Sequence, residues 1–342
     1  MVSAAGGHFS PWAYRQILRF VFAFLLMLLI ALTPAGFLLR YAYVIYALCL
    51  MLLIGVEVMG FIGMGAKRWV DIGGINLQPS ELMKLATILA LARYFHSINF
   101  QDINRPLLLL PPVLLIMVPA AFILRQPNLG TATILIAVGS IIAFMAGVRA
   151  RYFLIIVVLG LMAAPVGWHF LHDYQKQRVM TFLHPEDDPL GAGYNIMQSM
   201  IAIGSGGFFG KGFMQGSQGQ LDFLPEKHTD FIFTMLAEEF GFLGCFVILS
   251  LYMMLIGYGV AIGLRCRHVF GSLLAIGVSA MIFTHILINM MMVMGLIPVV
   301  GVPLPLLSYG GSIMISILVG FGLMQNAYVH RDVHLPRAMG VL

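Results

Sequence analysis

The chain has 342 residues, of which 60% are hydrophobic and only 10% are charged, and its mean hydropathy is +0.95. A soluble domain of this length needs more polar residues to cover its surface, so the composition excludes that class and indicates a polytopic membrane protein. The net charge of +5 does not indicate nucleic-acid binding, because the basic residues are scattered over short loops and form no run.

The N-terminal segment does not have the form of a cleavable signal peptide. Residues 1–12 are small and polar, and the apolar run that begins near Ile17 is too long for the hydrophobic region of such a peptide. Cys49 and Cys245 lie in apolar runs and Cys266 lies between two arginines, so their spacing indicates neither a disulfide framework nor a metal site.

Apolar runs long enough to cross a bilayer succeed one another along the chain. Lipid offers no hydrogen-bond partner to an open backbone, so each run is expected to be an α-helix. We predict an all-α polytopic membrane protein, a single domain over residues 1–342 with about nine transmembrane helices. The predicted spans are 17–35, 41–63, 81–97, 106–125, 130–148, 152–171, 230–262, 269–295 and 309–328.

Residues 172–229 form a long polar connection between two spans. The segment contains Tyr174, Phe182 and Tyr194 among its charges, which is too aromatic for a disordered linker. We predict a large structured extracytoplasmic loop with short helices around Tyr194–Ile203.

The distribution of lysine and arginine over the loops predicts the orientation. The richer set of loops, which we assign to the cytoplasm, holds Arg40, Arg93, Arg105, Arg149, Arg151, Arg265, Arg267, Arg331 and Arg337. The opposite set, without the long segment 172–229, holds Arg15, Arg19, Lys67, Arg68, Lys84 and Arg125. The C-terminus is then cytoplasmic, and with an odd number of spans the N-terminus lies outside.

Asp230 stands where the polar loop meets a long apolar run, and a carboxylate at the mouth of a membrane helix is costly to desolvate. One interpretation is a helix N-cap, a role that Thr229 fills equally well. The other is a functional carboxylate, because desolvation raises its pKa while the helix dipole and Lys227 lower it. A carboxylate between those forces can act as a general base near neutral pH.

Glu81 and Lys84 come directly after Pro79 and Ser80, which mark a helix start with Ser80 as the candidate N-cap. Because Glu81 and Lys84 are three residues apart, they lie on one helix face and can pair. They are either a structural ion pair or an anion site in which Glu81 fixes the position of Lys84.

Lys67 and Arg68 form an outward-facing basic cluster beside Trp69, a residue type that commonly anchors proteins at membrane interfaces. The two cations suit a phosphate-bearing lipid headgroup. Arg125 is explained by snorkelling from a span end to the interface.

Three further patterns favour structural interpretations. The glycine-rich run 204–212 lacks the Ser or Thr that a nucleotide-binding phosphate loop needs after Gly-Lys. His184 with residues 186–188 reads as a solvated acidic loop more readily than as a metal site, so we predict no metal ligands. Glu238 and Glu239 must be paired or protonated within their span, and His285 with Asn289 is expected to make an interhelical hydrogen bond.

Five separated motifs, in order over nearly the whole chain, resemble the SEDS (shape, elongation, division and sporulation) family. They are LPEKHTDFIF at 224–233, QPSE at 78–81, QRV at 177–179, DPLGAGY at 188–194 and PLPLLSYGGS at 303–312. Within the family, the RodA branch is the one resembled by LAEE at 236–239, IGSGG at 203–207 and VVGVPLP at 299–305.

The resemblance implies a peptidoglycan glycosyltransferase of the cell-wall elongation machinery. Such proteins polymerise lipid II, a disaccharide-pentapeptide on undecaprenyl pyrophosphate, outside the bacterial cytoplasmic membrane. They act with a class B penicillin-binding protein and other elongation-machinery membrane proteins, among membrane lipids and without nucleic acid. The alternatives are a lipid II flippase and a non-catalytic scaffold of the same machinery.

The resemblance also implies site residues. The family's essential aspartate falls on Asp230, and its Glu and Lys pair falls on Glu81 and Lys84. The expected cations for the pyrophosphate leaving group are Lys84, Arg68, Lys67 and Lys211, and a divalent cation, Mg²⁺ or Mn²⁺, can share that task. Further substrate contacts are assigned to His228 and Ser308, which lie within the matching motifs.

The chain departs from the family pattern in three places. The family has ten spans with both ends in the cytoplasm, and residues 3–7 resemble the segment that comes after its first span, so we expect that span to be absent here. Asn128 and His184 stand where the family usually has Asp. A role that needs a negative charge at either position is therefore not expected.

Overall fold

The computed structural model describes residues 12–59, 61–63, 66–72, 75–170, 173–184, 192–220 and 228–336. Within these ranges the chain is mainly helical, because an α-helix satisfies its own backbone groups in lipid. Five helices are long and apolar enough to cross a bilayer, namely Ala35–Val56, Pro106–Arg125, Ile232–Arg265, Val269–Val293 and Gly311–Val329.

Each predicted span coincides with a helix in the described part of the chain. The elements are α1 (Trp12–Leu32), α2 (Ala35–Met59), β1 (Phe61–Gly63), β2 (Ala66–Ile72), β3 (Ile75–Leu77), α3 (Pro79–Ser97), α4 (Pro106–Arg125), α5 (Leu129–Met145), α6 (Ala150–Phe170), α7 (Asp173–Leu183), α8 (Ala192–Ser205), α9 (Ser217–Gln220), α10 (Ile232–Arg265), α11 (Val269–Val293) and α12 (Gly311–Val329). The helices that coincide with predicted spans are α1 to α6 and α10 to α12. Helix α8 includes the short helix predicted at 194–203 in the large loop.

A small antiparallel sheet connects α2 to α3, which the apolar pattern does not predict. Its strand order is β1-β2-β3, with Phe61 opposite Trp69 and Val70 opposite Leu77. The predicted second span continued to residue 63, whereas α2 ends at Met59 and the chain then becomes extended.

The chain divides into two units according to its internal contacts. The first contains Met1–Ile17, Ala150–Met253 and His285–Gly310, and the second contains Leu18–Arg149, Met254–Thr284 and Gly311–Leu342. Asp230 belongs to the first unit, and Glu81 and Lys84 belong to the second.

In the second unit, α3 is enclosed by protein along most of its length. It contacts α2, α4, α5 and α12, and 15 of its 19 residues are buried. Gly277 of α11 lets that helix approach closely, since a Cβ there would lie 2.7 Å from Ile88 Cγ2. A helix shielded from lipid can carry charged residues, here Glu81 and Lys84.

In the first unit, α8 is joined to both α10 and α11 near Asp230. The Ser199 hydroxyl donates to the Val293 carbonyl at 2.8 Å and lies 2.7 Å from Thr234 Oγ1. Helix α10 is broken at Gly241, whose φ of 64° is left-handed. A Cβ there would lie 2.3 Å from the Gly210 nitrogen, so the 206–218 segment packs directly against the break.

Candidate active site

Asp230 lies just outside the first turn of α10. The carbonyl of Phe231 accepts from the backbone nitrogens of Thr234 and Met235, which places Phe231 at the N-cap position. The N-cap interpretation of Asp230 therefore loses support. The residue is half-buried.

The carboxylate of Asp230 stands against the loop that precedes α12. A Cβ added to Gly301 would lie 3.3 Å from Asp230 Oδ2, and Gly301 has a φ of 69°. Only glycine adopts that backbone conformation without strain, and it also leaves room beside the carboxylate.

Three consecutive backbone carbonyls, those of residues 228–230, accept hydrogen bonds from three different donors. The Tyr309 nitrogen donates to His228 O at 2.8 Å, and Ser308 Oγ donates to Thr229 O at 2.6 Å. Asn289 Nδ2 donates to Asp230 O at 2.8 Å. The main chain leading into Asp230 is thus fixed residue by residue.

The hydroxyl of Ser308, a predicted substrate contact, has a role within the protein. It accepts from the Leu304 nitrogen at 2.7 Å while it donates to Thr229 O. The carbonyl of the same residue accepts from Gln16 Nε2 at 3.4 Å. Substrate binding by Ser308 or by half-buried His228 stays a prediction.

Glu81 and Lys84 form the ion pair that their spacing predicts. Lys84 Nζ lies 2.7 Å from Glu81 Oε1, and Lys84 and Glu81 are buried, with exposed fractions of 2% and 6%. Ser316 of α12 donates to the Glu81 carbonyl at 3.1 Å. Ser312 of α12 accepts from the Gln78 nitrogen at 2.9 Å, so α12 holds the beginning of α3 in place.

Arg68 ties strand β2 to the turn between α4 and α5. Its Nε donates to Gln126 O at 2.9 Å and its Nη2 to Pro127 O at 2.5 Å. Within the same turn, Asn128 Oδ1 accepts from the Thr131 nitrogen, so an uncharged side chain caps α5 where the family usually has Asp. The side chain of Lys67 lies outside the described residues.

Lys211 is ion-paired with a buried carboxylate. Its Nζ lies 2.7 Å from Glu238 Oε1 and 2.9 Å from Ser217 Oγ. The same Glu238 oxygen accepts from the Gln218 nitrogen at 3.1 Å. Glu238 therefore has the partner that a carboxylate in its span requires, and the pair anchors the 206–218 segment to α10.

The family model FTSW_RODA_SPOVE, described as cell cycle protein, matches residues 3–333. The chain belongs to this family. Peptidoglycan glycosyltransferase MrdB of Escherichia coli strain K12 is 42% identical over 334 residues, which cover 97% of this chain and 89% of that protein. The resemblance that the sequence motifs indicate is confirmed.

Solved structures of FtsW/RodA/SpoVE proteins have the same fold. A chain described under "Structural coordination of polymerization and crosslinking by a peptidoglycan synthase complex" superposes with a TM-score of 0.82 at 32% identity, covering 94% of this chain and 90% of that one. Rod shape determining protein RodA of Thermus thermophilus superposes with a TM-score of 0.72 at 28% identity, covering 97% and 92%. The predicted polytopic all-α membrane fold is confirmed.

For this FtsW/RodA/SpoVE protein, sequence reasoning misses the residues that hold Asp230. It predicts an interhelical hydrogen bond for Asn289, and the structure shows two bonds, to the carbonyls of Asp230 and Val302. The only signal for this contact in the sequence is one amide side chain, Asn289, near the end of an apolar run. No group of three His, Cys, Asp or Glu within the described residues is placed to hold a metal, and 186–188 lie outside them.

Proposed function

We propose that this chain polymerises lipid II into glycan strands during cell-wall elongation, with Asp230 as the general base. The observation that carries the assignment of the base is the half-buried Asp230 on a main chain fixed at three consecutive carbonyls. The names of its relatives support the reaction class, since MrdB of Escherichia coli and of Helicobacter pylori are both named peptidoglycan glycosyltransferases.

The chemical step begins with the 4-hydroxyl of the acceptor sugar. Asp230 accepts the hydroxyl proton as the oxygen attacks the anomeric carbon of the donor sugar. The new bond joins that oxygen to the anomeric carbon, and the bond from this carbon to the pyrophosphate oxygen breaks. Undecaprenyl pyrophosphate leaves with the electron pair, and the carboxyl group of Asp230 keeps the proton until it passes to solvent.

The leaving pyrophosphate needs positive charge near the oxygen that departs. Lys84, Arg68, Lys67 and Lys211 are the proposed sources. Lys84 is already paired with Glu81, and Arg68 and Lys211 also donate to groups within the protein. A divalent cation, Mg²⁺ or Mn²⁺, would add Lewis-acid stabilisation to the same charge.

We further propose that the protein lies in the bacterial cytoplasmic membrane with its C-terminus inside and its active site facing outward. The greater number of arginines in the loops assigned to the cytoplasm supports this orientation. The polyprenyl tails of donor and acceptor would then lie among membrane lipids, with the sugars at the outer surface.

A class B penicillin-binding protein is the proposed partner. A solved chain that this one resembles is described under structural coordination of polymerization and crosslinking by a peptidoglycan synthase complex. Its similarity to this chain, at 32% identity over 94% of the residues, supports an equivalent pairing here.

The test compares Asp230→Asn with the parental chain, reconstituted with lipid II, with and without the co-purified partner. Removal of a general base lowers the rate about 10²–10⁴-fold, so glycan products on a gel should fall by that factor. Asp102→Asn is the control, because this surface carboxylate pairs with Arg105 in an exposed ion pair, and its loss should change the rate less than about twofold.

Each other outcome has a distinct meaning. Parental product formation by Asp230→Asn would show that another group is the base. Headgroup translocation across vesicles without glycan products would support the flippase. A chain with neither activity, whose Asp230→Asn variant still complements a deletion, would support the scaffold.

A further inference from the structure

Of the three donors that bind the backbone carbonyls of residues 228–230, one belongs to a spanning helix. The donors to His228 O and Thr229 O come from the loop that precedes α12, whereas the donor to Asp230 O is the side chain of Asn289 in α11. Asn289 is therefore the side chain that connects the Asp230 main chain directly to a span.

The chemistry of the Asn289 amide leaves no freedom in its orientation. Nδ2 donates to Asp230 O at 2.8 Å and to Val302 O at 2.7 Å. Both partners are carbonyls that only accept, so each needs one of the two amide hydrogens. Asn289 is fully buried, with an exposed fraction of 0%, so water does not replace either bond.

These two hydrogen bonds hold the two backbone segments that meet at the Asp230 carboxylate. One holds the carbonyl of Asp230 itself. The other holds Val302, the neighbour of Gly301, against which Asp230 Oδ2 stands. The side-chain amide of Asn289 therefore positions both the backbone of Asp230 and the loop segment beside its carboxylate.

The end of α11, which carries Asn289, is itself held by hydrogen bonds one helical turn further along. Ser199 bonds to the Val293 carbonyl and lies within hydrogen-bond distance of the Thr234 hydroxyl. Val293 is four residues after Asn289, and Thr234 is four residues after Asp230. The end of α11 and the beginning of α10 are thus joined at two successive levels, which resists rotation of either helix.

We propose that Asn289 is a positioning residue for Asp230 in the polymerisation reaction. The proposal rests on the proposed function, because it presupposes that Asp230 is the base. The carbonyl and the side chain of Asp230 branch from the same Cα. Loss of the hydrogen bond from the Asn289 amide therefore lets the peptide rotate and displaces the carboxylate. A misplacement of about 1 Å at a reacting group can lower a rate about 10²-fold.

The central variant is Asn289→Ala, assayed for kcat and KM with lipid II. We expect kcat to fall about 10–100-fold while KM changes less than about threefold, because the lost contact positions the base and does not bind substrate. The matched control is Asn326→Ala. Asn326 is 1% exposed, and its Nδ2 donates to the carbonyls of Ile30, Ala31 and Thr33 in α1 and just beyond it.

A second variant tests the donors and remains informative if Asn289→Ala is not recovered from membranes. In Asn289→Asp, the protonated carboxyl donates one hydrogen, and the ionised form donates none. Its kcat relative to the parental chain should be highest at low pH and should fall as the pH rises. Asn326→Asp should show no such trend in relative kcat.

The proposal is overturned if Asn289→Ala keeps the parental kcat, or if Asn326→Ala loses as much kcat at an equal loss of thermal stability. A flat relative kcat for Asn289→Asp overturns it as well. The double variant Asp230→Asn with Asn289→Ala should be no slower than Asp230→Asn alone, since a positioning residue has no effect without its base.

The same experiment separates this proposal from the proposed function. An inactive Asp230→Asn beside a fully active Asn289→Ala removes the positioning role and leaves the base assignment intact. A fully active Asp230→Asn removes the base assignment, and the positioning role fails with it.

Discussion

Glu81 and Lys84 place two opposite charges where neither reaches bulk water. Such a pair loses its hydration free energy on burial. Only the attraction between the two charges at close contact, here 2.7 Å between Nζ and Oε1, compensates for that loss. Its net contribution to stability is therefore small while both charges are present. A structural pair and a pyrophosphate-binding lysine have the same geometry, so only a comparison of stability with activity separates them.

Single and double substitutions of the pair make that comparison. Lys84→Met leaves Glu81 as an uncompensated buried charge and should lower the free energy of unfolding by about 3–5 kcal/mol. Combining it with Glu81→Gln removes both charges and should restore most of that loss. Because we propose that Lys84 stabilises the leaving group, polymerisation by the stable double variant should stay at least about tenfold below the parental rate.

The outcome is measured by thermal unfolding in detergent and by glycan product formation. Arg105→Met is the control for loss of a cation, since Arg105 pairs with Asp102 at the surface and should contribute less than about 1 kcal/mol. Recovery of both stability and polymerisation in the double variant would identify a purely structural pair.

The turn between α10 and α11 contains a histidine, His268, that uses both ring nitrogens. His268 Nδ1 accepts from the Gly271 nitrogen at 2.9 Å, at the beginning of α11. The hydrogen of the neutral ring is then on Nε2, which donates to His330 O at 3.2 Å, just beyond α12. Burial lowers the pKa of His268, the His330 carbonyl opposes this, and the charge of His330 adds to the lowering.

This geometry predicts that the protein is less stable in acid. A lowered pKa in the folded state means that the unfolded chain binds more protons near pH 6, so stability is present above the unfolded value of about 6.5 and is lost as the pH falls below it. Tm should therefore decrease between about pH 7.5 and pH 5.5. His268→Asn should reduce this decrease, whereas His334→Gln, at an exposed position, should not. An unchanged pH dependence in His268→Asn would contradict the assignment.

At the scale of helices, most of the architecture can be predicted from the sequence because lipid permits so few backbone solutions. Apolar length alone places a helix at every predicted span. It fails at the sheet between α2 and α3, where strands as short as Phe61–Gly63 carry no periodicity. It also fails at the start of α3, where Pro79 takes the first helical position and Gln78, without a side-chain bond, takes the N-cap position predicted for Ser80.

In the candidate site, too, some features can be predicted from the sequence and others cannot. Asp230 and the Glu81–Lys84 pair can be found from the sequence, because a charge next to an apolar run is costly and so conspicuous. The partners of Asp230 cannot, since Asn289 is 59 residues away and no local pattern encodes such a contact. Likewise, Lys211 and Glu238 are separated by 27 residues, and only the fold shows that they pair.

At the scale of the whole molecule, Lys and Arg are more frequent in the loops assigned to the cytoplasm than in the opposite short loops, and this asymmetry predicts the orientation. Arg265 and Arg267 flank the end of α10, while the beginning of the same helix comes after the large loop. Because α10 is long and apolar enough to cross the bilayer, residues before and after it should face opposite compartments. The proposed function requires that Asp230 be on the outer side.

Labelling with a membrane-impermeant maleimide tests this orientation in intact cells. Phe209→Cys, at a position 76% exposed, should be labelled without permeabilisation. Arg267→Cys, where the parental side chain is 78% exposed, should be labelled only after permeabilisation. The background should replace Cys49, Cys245 and Cys266 by Ala, although burial raises the pKa of the Cys266 thiol to about 11 and slows its reaction. The reverse labelling pattern would place Asp230 on the cytoplasmic side, where polymerised glycan strands could not join the wall, and would therefore contradict the proposed function and the orientation together.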